Sequence, residues 1–480
     1  MSVDETLPTT GAPAPAAPAA GRRLRGDLGV WSIVFMVAAA ASPLGVIGGP
    51  VAIGISTGNG AGFPATYVVA GVALLLFAVG FTAMTPHVGT AGAFSAYVSR
   101  GLGRRTGLGA GFAALLSYLT LEAGVYGLMG PGVDNLLVSY GLPHVPWWVY
   151  ALAAFALVTF LGHRNIELSG KVLAVGLVAE VVIVLVFDAV VVFSGGDGGL
   201  STGIVSPTAI LSGAPGLGIL FAILGFLGFE ATAVFRDEAR DPERTVARAT
   251  YLALGLIAVF YAVSSWALVS AYGDEDAVRV ATDSGGTMLA DATQEYLGTV
   301  GAHVVQVLFV TSVFACILSF HNIVARYVFG LAGRGVLPRG LGVAHARHGS
   351  PHRASAATSA VVALLIVLGA VAGLDAIGQY YTWLGGFASV GVVVLYALTS
   401  LAVVVFFARR RELGVGVVRG IVAPAVGFAA LGFFLVLILQ NLTGLVGGSV
   451  PLAWTVVGLL VLAFALGPVV ARRDVPEGGR

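Results

Sequence analysis

Charge is what this 480-residue chain has least of: Asp, Glu, Lys and Arg make up 10% of it, against about 25% in soluble domains. That scarcity excludes an ordinary globular enzyme. Cysteine is scarcer still. Cys316 stands alone, so an intrachain disulfide is excluded and a small core hydrophobe is the reading left. The net charge of +1 offers nothing to nucleic acid. Metal-ligand spacings, a nucleophile motif and a phosphate loop are missing as well, so no cofactor is expected. Gly101-Leu102-Gly103 followed by Arg104 lacks the spacing of a dinucleotide loop.

What is present is apolar. Hydrophobic residues are 57% of the chain and its mean hydropathy is +0.94. Glycine, 68 residues, is roughly twice its usual share and fits close helix–helix packing in a bilayer. Runs long enough to span lie near 30–55, 63–85, 107–130, 147–162, 172–194, 216–235, 249–272, 300–329, 356–373, 379–408, 417–439 and 452–471. The expectation is an all-α integral membrane protein with twelve transmembrane helices.

With the N-terminus inside, every Lys and Arg except Arg279 falls in an inside segment. The positive-inside rule therefore supports this count and places both termini in the cytoplasm of a multi-pass cell-membrane protein. Residues 1–27 carry an Ala/Pro repeat (Pro13, Pro15, Pro18) that cannot bury a core, and they read as a disordered tail. Their positive cluster comes late (Arg22, Arg23, Arg25) and a full span follows, unlike a signal peptide. Residues 28–471 form one transmembrane domain, and 472–480 a second tail. The outer segment 273–298 is acidic (Asp274, Glu275, Asp276, Asp283, Asp291, Glu295) and reads as a solvated face or the cover of an outer vestibule.

Two spans are interrupted. Ser42-Pro43-Leu44-Gly45-Val46-Ile47-Gly48-Gly49-Pro50 breaks the first, because proline removes a donor and glycine forfeits backbone order. Gly213, Pro215, Gly216 and Gly218 lead into the sixth, which continues Leu224-Gly225-Phe226-Leu227-Gly228-Phe229-Glu230. Spans one and six correspond if two five-helix units repeat, the second upside down. Repeat one then covers about 29–194 and repeat two about 216–408, with two extra helices at 417–471. Such pairing points to a midplane site in a secondary transporter.

The amides opening the second half of span one, at Gly45, Val46, Ile47, Gly48 and Gly49, suit a carboxylate. The carbonyls closing the first half of span six, Leu224 to Leu227, suit an ammonium. Together they hold an α-amino acid by its head group. Intramembrane carboxylates are functional suspects by default. Glu230 follows the second break and Glu180 lies in an apolar fifth span; both are proton-coupling candidates. Glu122 either lines the pocket and favours a cationic amine or bonds a neighbouring helix. Asp188 reads as structural. In span eight Ser319 and Asn322 share a face and either contact a coupling ion or glue helices, while His321 is a proton carrier or a packing residue. Tyr380, Tyr381 and Trp383 read as an outer aromatic belt or a gate.

The run from Gly228-Phe229-Glu230 through Glu238-Ala239-Arg240-Asp241-Pro242-Glu243-Arg244 resembles the amino acid–polyamine–organocation (APC) permeases. So do Pro86-His87-Val88-Gly89-Thr90-Ala91-Gly92-Ala93-Phe94-Ser95-Ala96-Tyr97, Ala325-Arg326-Tyr327 and Gly333-Arg334-Gly335-Val336-Leu337-Pro338. The resemblance spans about residues 28 to 410. It implies the five-plus-five inverted-repeat fold, transport of amino acids, polyamines or related amines, head-group binding at Gly45 to Gly49 and at Phe226 and Leu227, and Glu230 beside an inner gate. Many members carry a lysine in helix five in place of a sodium ion; here Glu180 occupies that alignment. The expected substrate is an amino acid or related amine, with H⁺ as coupling ion; a polyamine importer, an exchanger, and more distantly a channel or receptor are the alternatives.

Overall fold

In hydrocarbon the peptide groups of an apolar run have only each other to bond, so such runs fold as helices. The computed structural model describes residues 28–88, 93–163, 170–232, 239–284, 286–333, 335–345 and 350–471, and among these its elements are all helices, with no strand. Both tails, residues 89–92, Glu238 and the arginines at 22, 23, 25, 164, 236, 334, 347, 472, 473 and 480 lie outside the described residues.

The helices are α1 (Val30–Ala41), α2 (residues 43–59), α3 (Phe63–Met84), α4 (Ala93–Leu102), α5 (Arg104–Ser139), α6 (Trp147–His163), α7 (Gly170–Ser194), α8 (Pro215–Leu224), α9 (Pro242–Asp283), α10 (Met288–Gly333), α11 (His352–Val371), α12 (Ala376–Arg409), α13 (Val418–Leu445) and α14 (Val450–Ala471). Among the described residues, ten stretches are long and apolar enough to cross a membrane. This is fewer than the twelve expected, for two local reasons. The first two expected spans run together over 30–87, where Gly58 and Gly60 leave helical geometry without opening a loop, and α6 has only 17 residues.

At the centre α5 packs against α4, α6, α10, α12 and α14, while α1 lies against α7, α9 and α10. Glycines set the close approaches. A Cβ on Gly58 would stand 2.8 Å from the Gly218 backbone, and the Gly58 carbonyl accepts from the Ala214 amide at 2.9 Å. The far end of α2 and the start of α8 are thus docked backbone to backbone, which holds the two interrupted helices in register. α7 shows how burial is divided: Val175, Val178, Val182 and Leu185 point outward, while Leu177, Glu180, Val184, Phe187, Asp188 and Val191 are buried. Both carboxylates of that helix therefore face protein.

Candidate functional site between two interrupted helices

α1 stops at Ala41 because Pro43 bars its predecessor from the helical region. Ser42 takes φ 53°, ψ 71°, a left-handed conformation that costs an L-residue about 1–2 kcal/mol, and it is the one non-glycine with positive φ among the described residues. Proline suits the first position of a helix, so the chain restarts at once, and the Val46 amide bonds the Ser42 carbonyl at 2.9 Å. The mouth of α2 consequently opens at Leu44 and Gly45. Ile47, Gly48 and Gly49 lie past the first turn, inside the helical run. Of the expected stretch Gly45 to Gly49, Gly45 and Val46 lie in the opening turn, and Ser42-Pro43 marks the break in the sequence. Pro50, which lacks an amide, is taken up by widened turns over Ile47–Val51.

α8 ends at Leu224. The chain then makes tight turns, with the Phe226 amide bonding the Ile223 carbonyl at 3.0 Å and the Leu227 amide bonding the Leu224 carbonyl at 3.3 Å. Gly228 follows at φ +105°, a value only glycine adopts without strain.

The two interruptions face one cavity of about 40 Å³. Ser42, Gly45 and Val46, with Ala40, Ala41 and Pro50, line it from one side and Leu224 and Leu227 from the other; Leu121, Val125, Leu128, Val313, Cys316, Phe320 and Tyr381 complete the wall. The lining is apolar and carries no charged side chain. Its volume admits about three waters, far less than an amino acid. A second cavity of about 40 Å³ includes Gly48, Gly132, Gln306 and Phe309, and Leu128 belongs to both walls. The Phe309 ring fills the slot between two glycines, since a Cβ on Gly48 or Gly132 would meet it at 2.7 or 2.6 Å.

Beside the first interruption Glu180 takes part in a buried chain. Ser42 Oγ and Ser312 Oγ are 2.8 Å apart, Ser312 donates to Glu180 Oε2 at 2.6 Å, and the Leu44 amide points at the same oxygen from 3.4 Å. Sequence reasoning missed Ser312. Ser319 and Asn322, singled out on the same helix, are half-buried, and among the described residues neither bonds this group. Ser312 lies two turns before Ser319, but nothing in its local sequence marks it.

Beside the second interruption the Glu230 carboxylate accepts from three donors. Tyr118 of α5 donates to Oε1, while Tyr396 of α12 and the Gly228 amide each donate to Oε2 at 3.1 Å. One side chain thus satisfies an amide freed by the break and ties that break to two other helices.

Glu122 goes elsewhere. Leu121, Val125 and Leu128 give one face of α5 to the cavity, and Glu122 is not on it. Fully buried, it lies 2.7 Å from His321 Nδ1, and His321 Nε2 lies 2.9 Å from Ser355 Oγ. Gly162 makes room for the imidazole, because a Cβ there would stand 2.5 Å from it. The group joins α5, α10 and α11, so the helix-bonding reading of Glu122 is the one this geometry favours. Breaking a buried pair by removing one partner costs about 3–5 kcal/mol. His321→Ala is accordingly expected to lower the unfolding midpoint in detergent strongly, with the ranking of substrates preserved. A changed ranking with unchanged stability would return Glu122 to the binding site.

Residues 28–464 match the family described as amino acid permease. The aromatic amino acid transport protein AroP of Escherichia coli (strain K12) is 25% identical over 384 residues, covering 77% of this chain and 81% of the relative. AroP of Salmonella typhimurium (strain SL1344) is 24% identical over the same shares. An uncharacterized transporter of Mycobacterium tuberculosis (strain ATCC 25618 / H37Rv) is 30% identical over 52% of this chain and 53% of its own. Neither the family nor these relatives point to an enzyme. The chain belongs to the amino acid permease family of the APC superfamily and is a multi-pass membrane transporter of amino acids.

Proposed function

We propose that the protein carries a neutral, apolar amino acid, aromatic side chains included, across the cytoplasmic membrane by alternating access coupled to H⁺. The observation that carries this is the single cavity framed by both helix interruptions. The Gly45 amide at the mouth of α2 suits the substrate carboxylate, with the helix dipole behind it. The carbonyls of Leu224, Phe226 and Leu227 suit its ammonium. The apolar wall takes the side chain, and the aromatic substrate named for AroP is in keeping with it. With Glu122 engaged by His321, no lining carboxylate favours a polyamine.

At about 40 Å³ the cavity cannot hold the substrate, so loading requires the half-helices to move. Glu230, with Tyr118 and Tyr396, is proposed as the inner gate, because opening on that side must separate those helices. Glu180 is proposed as the proton carrier. It has a serine and an amide for neighbours, and among the described residues no Lys, Arg or His pairs with it. Ser312 is its partner in preference to Ser319 and Asn322.

The same reading takes α1–α2 and α3 as two crossings and α6 as a short one, which makes twelve, with repeats over about 29–194 and 216–408, helices 417–471 outside them, tails at 1–27 and 472–480, and both termini cytoplasmic. The docking of Gly58 on Gly218 supports a paired arrangement of the two interrupted helices.

A thermal-shift series on purified protein tests the substrate class. Phenylalanine, tyrosine, tryptophan and leucine are expected to raise the melting midpoint, and lysine, arginine and putrescine to leave it in place. Stabilisation by the cations alone would overturn the assignment.

A further inference from the structure

The proposed mechanism leaves one intramembrane carboxylate unused. Asp188 lies on α7 eight residues after Glu180, on the same buried face, with Val184 between them. Ser264 of α9 donates to its Oδ2 at 2.8 Å, while Oδ1 is buried without a partner. Among the described residues no Lys, Arg or His pairs with it. Asp188 thus repeats the setting of Glu180: a buried carboxylate on α7, one serine from a neighbouring helix, and no cation.

Polar groups of α9 and α1 lie between the two settings. One turn before Ser264, on the same side of α9, Tyr261 donates its hydroxyl to the Ala41 carbonyl at 3.3 Å. Ser42, the next residue, begins the hydroxyl chain to Glu180. Beyond Asp188 the segment after α7 docks on α9: the Asp197 amide bonds the Ser270 carbonyl at 2.9 Å and the Ser201 amide bonds Ser270 Oγ at 3.0 Å. Exposed Asp274, Glu275 and Asp276 follow directly. Titratable groups close to this strip are Tyr261 of α9 and Cys316 of α10, both near Glu180, and Tyr296 of α10, whose ring meets Phe187 beside Asp188; residues 30–46 of α1 and α2 carry none.

We infer that Asp188 is a proton relay to Glu180. The inference rests on the proton-coupled reading above. The proton leaves the Asp188 carboxyl and joins the Glu180 carboxylate; Asp188, now a carboxylate, takes a proton from water at the acidic end. Nothing else is consumed, and the acidic rim raises the local proton supply.

The test uses the full chain in liposomes containing a pH-sensitive dye, with phenylalanine as the probe substrate. Substrate-evoked proton flux and counterflow at equal pH are measured together. In Asp188→Asn the ratio of proton flux to counterflow is expected to fall about fivefold or more. Ser264→Ala, which keeps the carboxyl and removes its hydroxyl link, is expected to lower the ratio in the same direction, and it decides the matter if the Asn variant does not fold. A wild-type ratio in the variants, with the ratio abolished in Glu180→Gln, overturns the relay alone. Wild-type transport with no proton flux overturns the relay and the proton-coupled reading together.

Discussion

Glu180→Gln is expected to reduce accumulation driven by an imposed pH gradient roughly tenfold, since proton and substrate binding are linked through one coupling free energy. The amide keeps the size of the side chain and accepts from Ser312, so the helix packing around Ser42, Leu44 and Ser312 has little reason to collapse. What it loses is the capacity to exchange a proton. The discriminating measurement is uptake with and without the gradient in the same liposome preparation. If the variant still concentrates substrate when the outside is acidified, Glu180 is a spacer between α7 and the mouth of α2, and another carboxylate carries the proton. Glu230 would then be next, held by Tyr118, Tyr396 and the Gly228 amide.

The second large effect is expected at Gly45. A Cβ there would stand 2.3 Å from Ser42 Oγ and 3.3 Å from Val313. Ser42 is already in a strained backbone conformation and has no easy retreat. Gly45→Ala therefore drives the Ser42 hydroxyl off Ser312 and tilts the opening turn of α2. Overpacking of this kind costs about 1–3 kcal/mol, which corresponds to roughly five- to 150-fold in substrate affinity if it falls on the binding conformation. Ser42→Ala in the same chain removes the colliding oxygen. Recovery of uptake in the double variant marks a steric origin. Continued failure in the double variant, together with an equal loss in Ser42→Ala alone, shows that the Ser42 hydroxyl itself is required. Unchanged uptake in Gly45→Ala would mean that the mouth of α2 is not where substrate binds.

Much of the architecture was legible because membrane solvation writes it locally. An apolar run with no charge has to be helical, and a proline preceded by serine has to interrupt it. The position of the first interruption was legible too, once the residue before Pro43 was given its due. The count of crossings was harder to match. Gly58 and Gly60 bend the chain without a polar loop, and Trp147–His163 is short for a span, so composition and continuous helix length divide residues 30–163 differently.

The candidate site divides in the same way. Composition by itself determined that this chain lives in a bilayer, that its helices are all-α and tightly packed through glycine, and that two of them break, since each of these follows from residues close together in sequence. Which side chains meet at the breaks was decided by tertiary structure alone. Glu180 reaches Ser312 across 132 positions, Tyr118 reaches Glu230 across 112, and Glu122 turns from the cavity to His321 across 199. Helical period tells which residues share a face, but not which helix that face will meet. In hydrocarbon every buried polar group takes the partner that packing brings within reach.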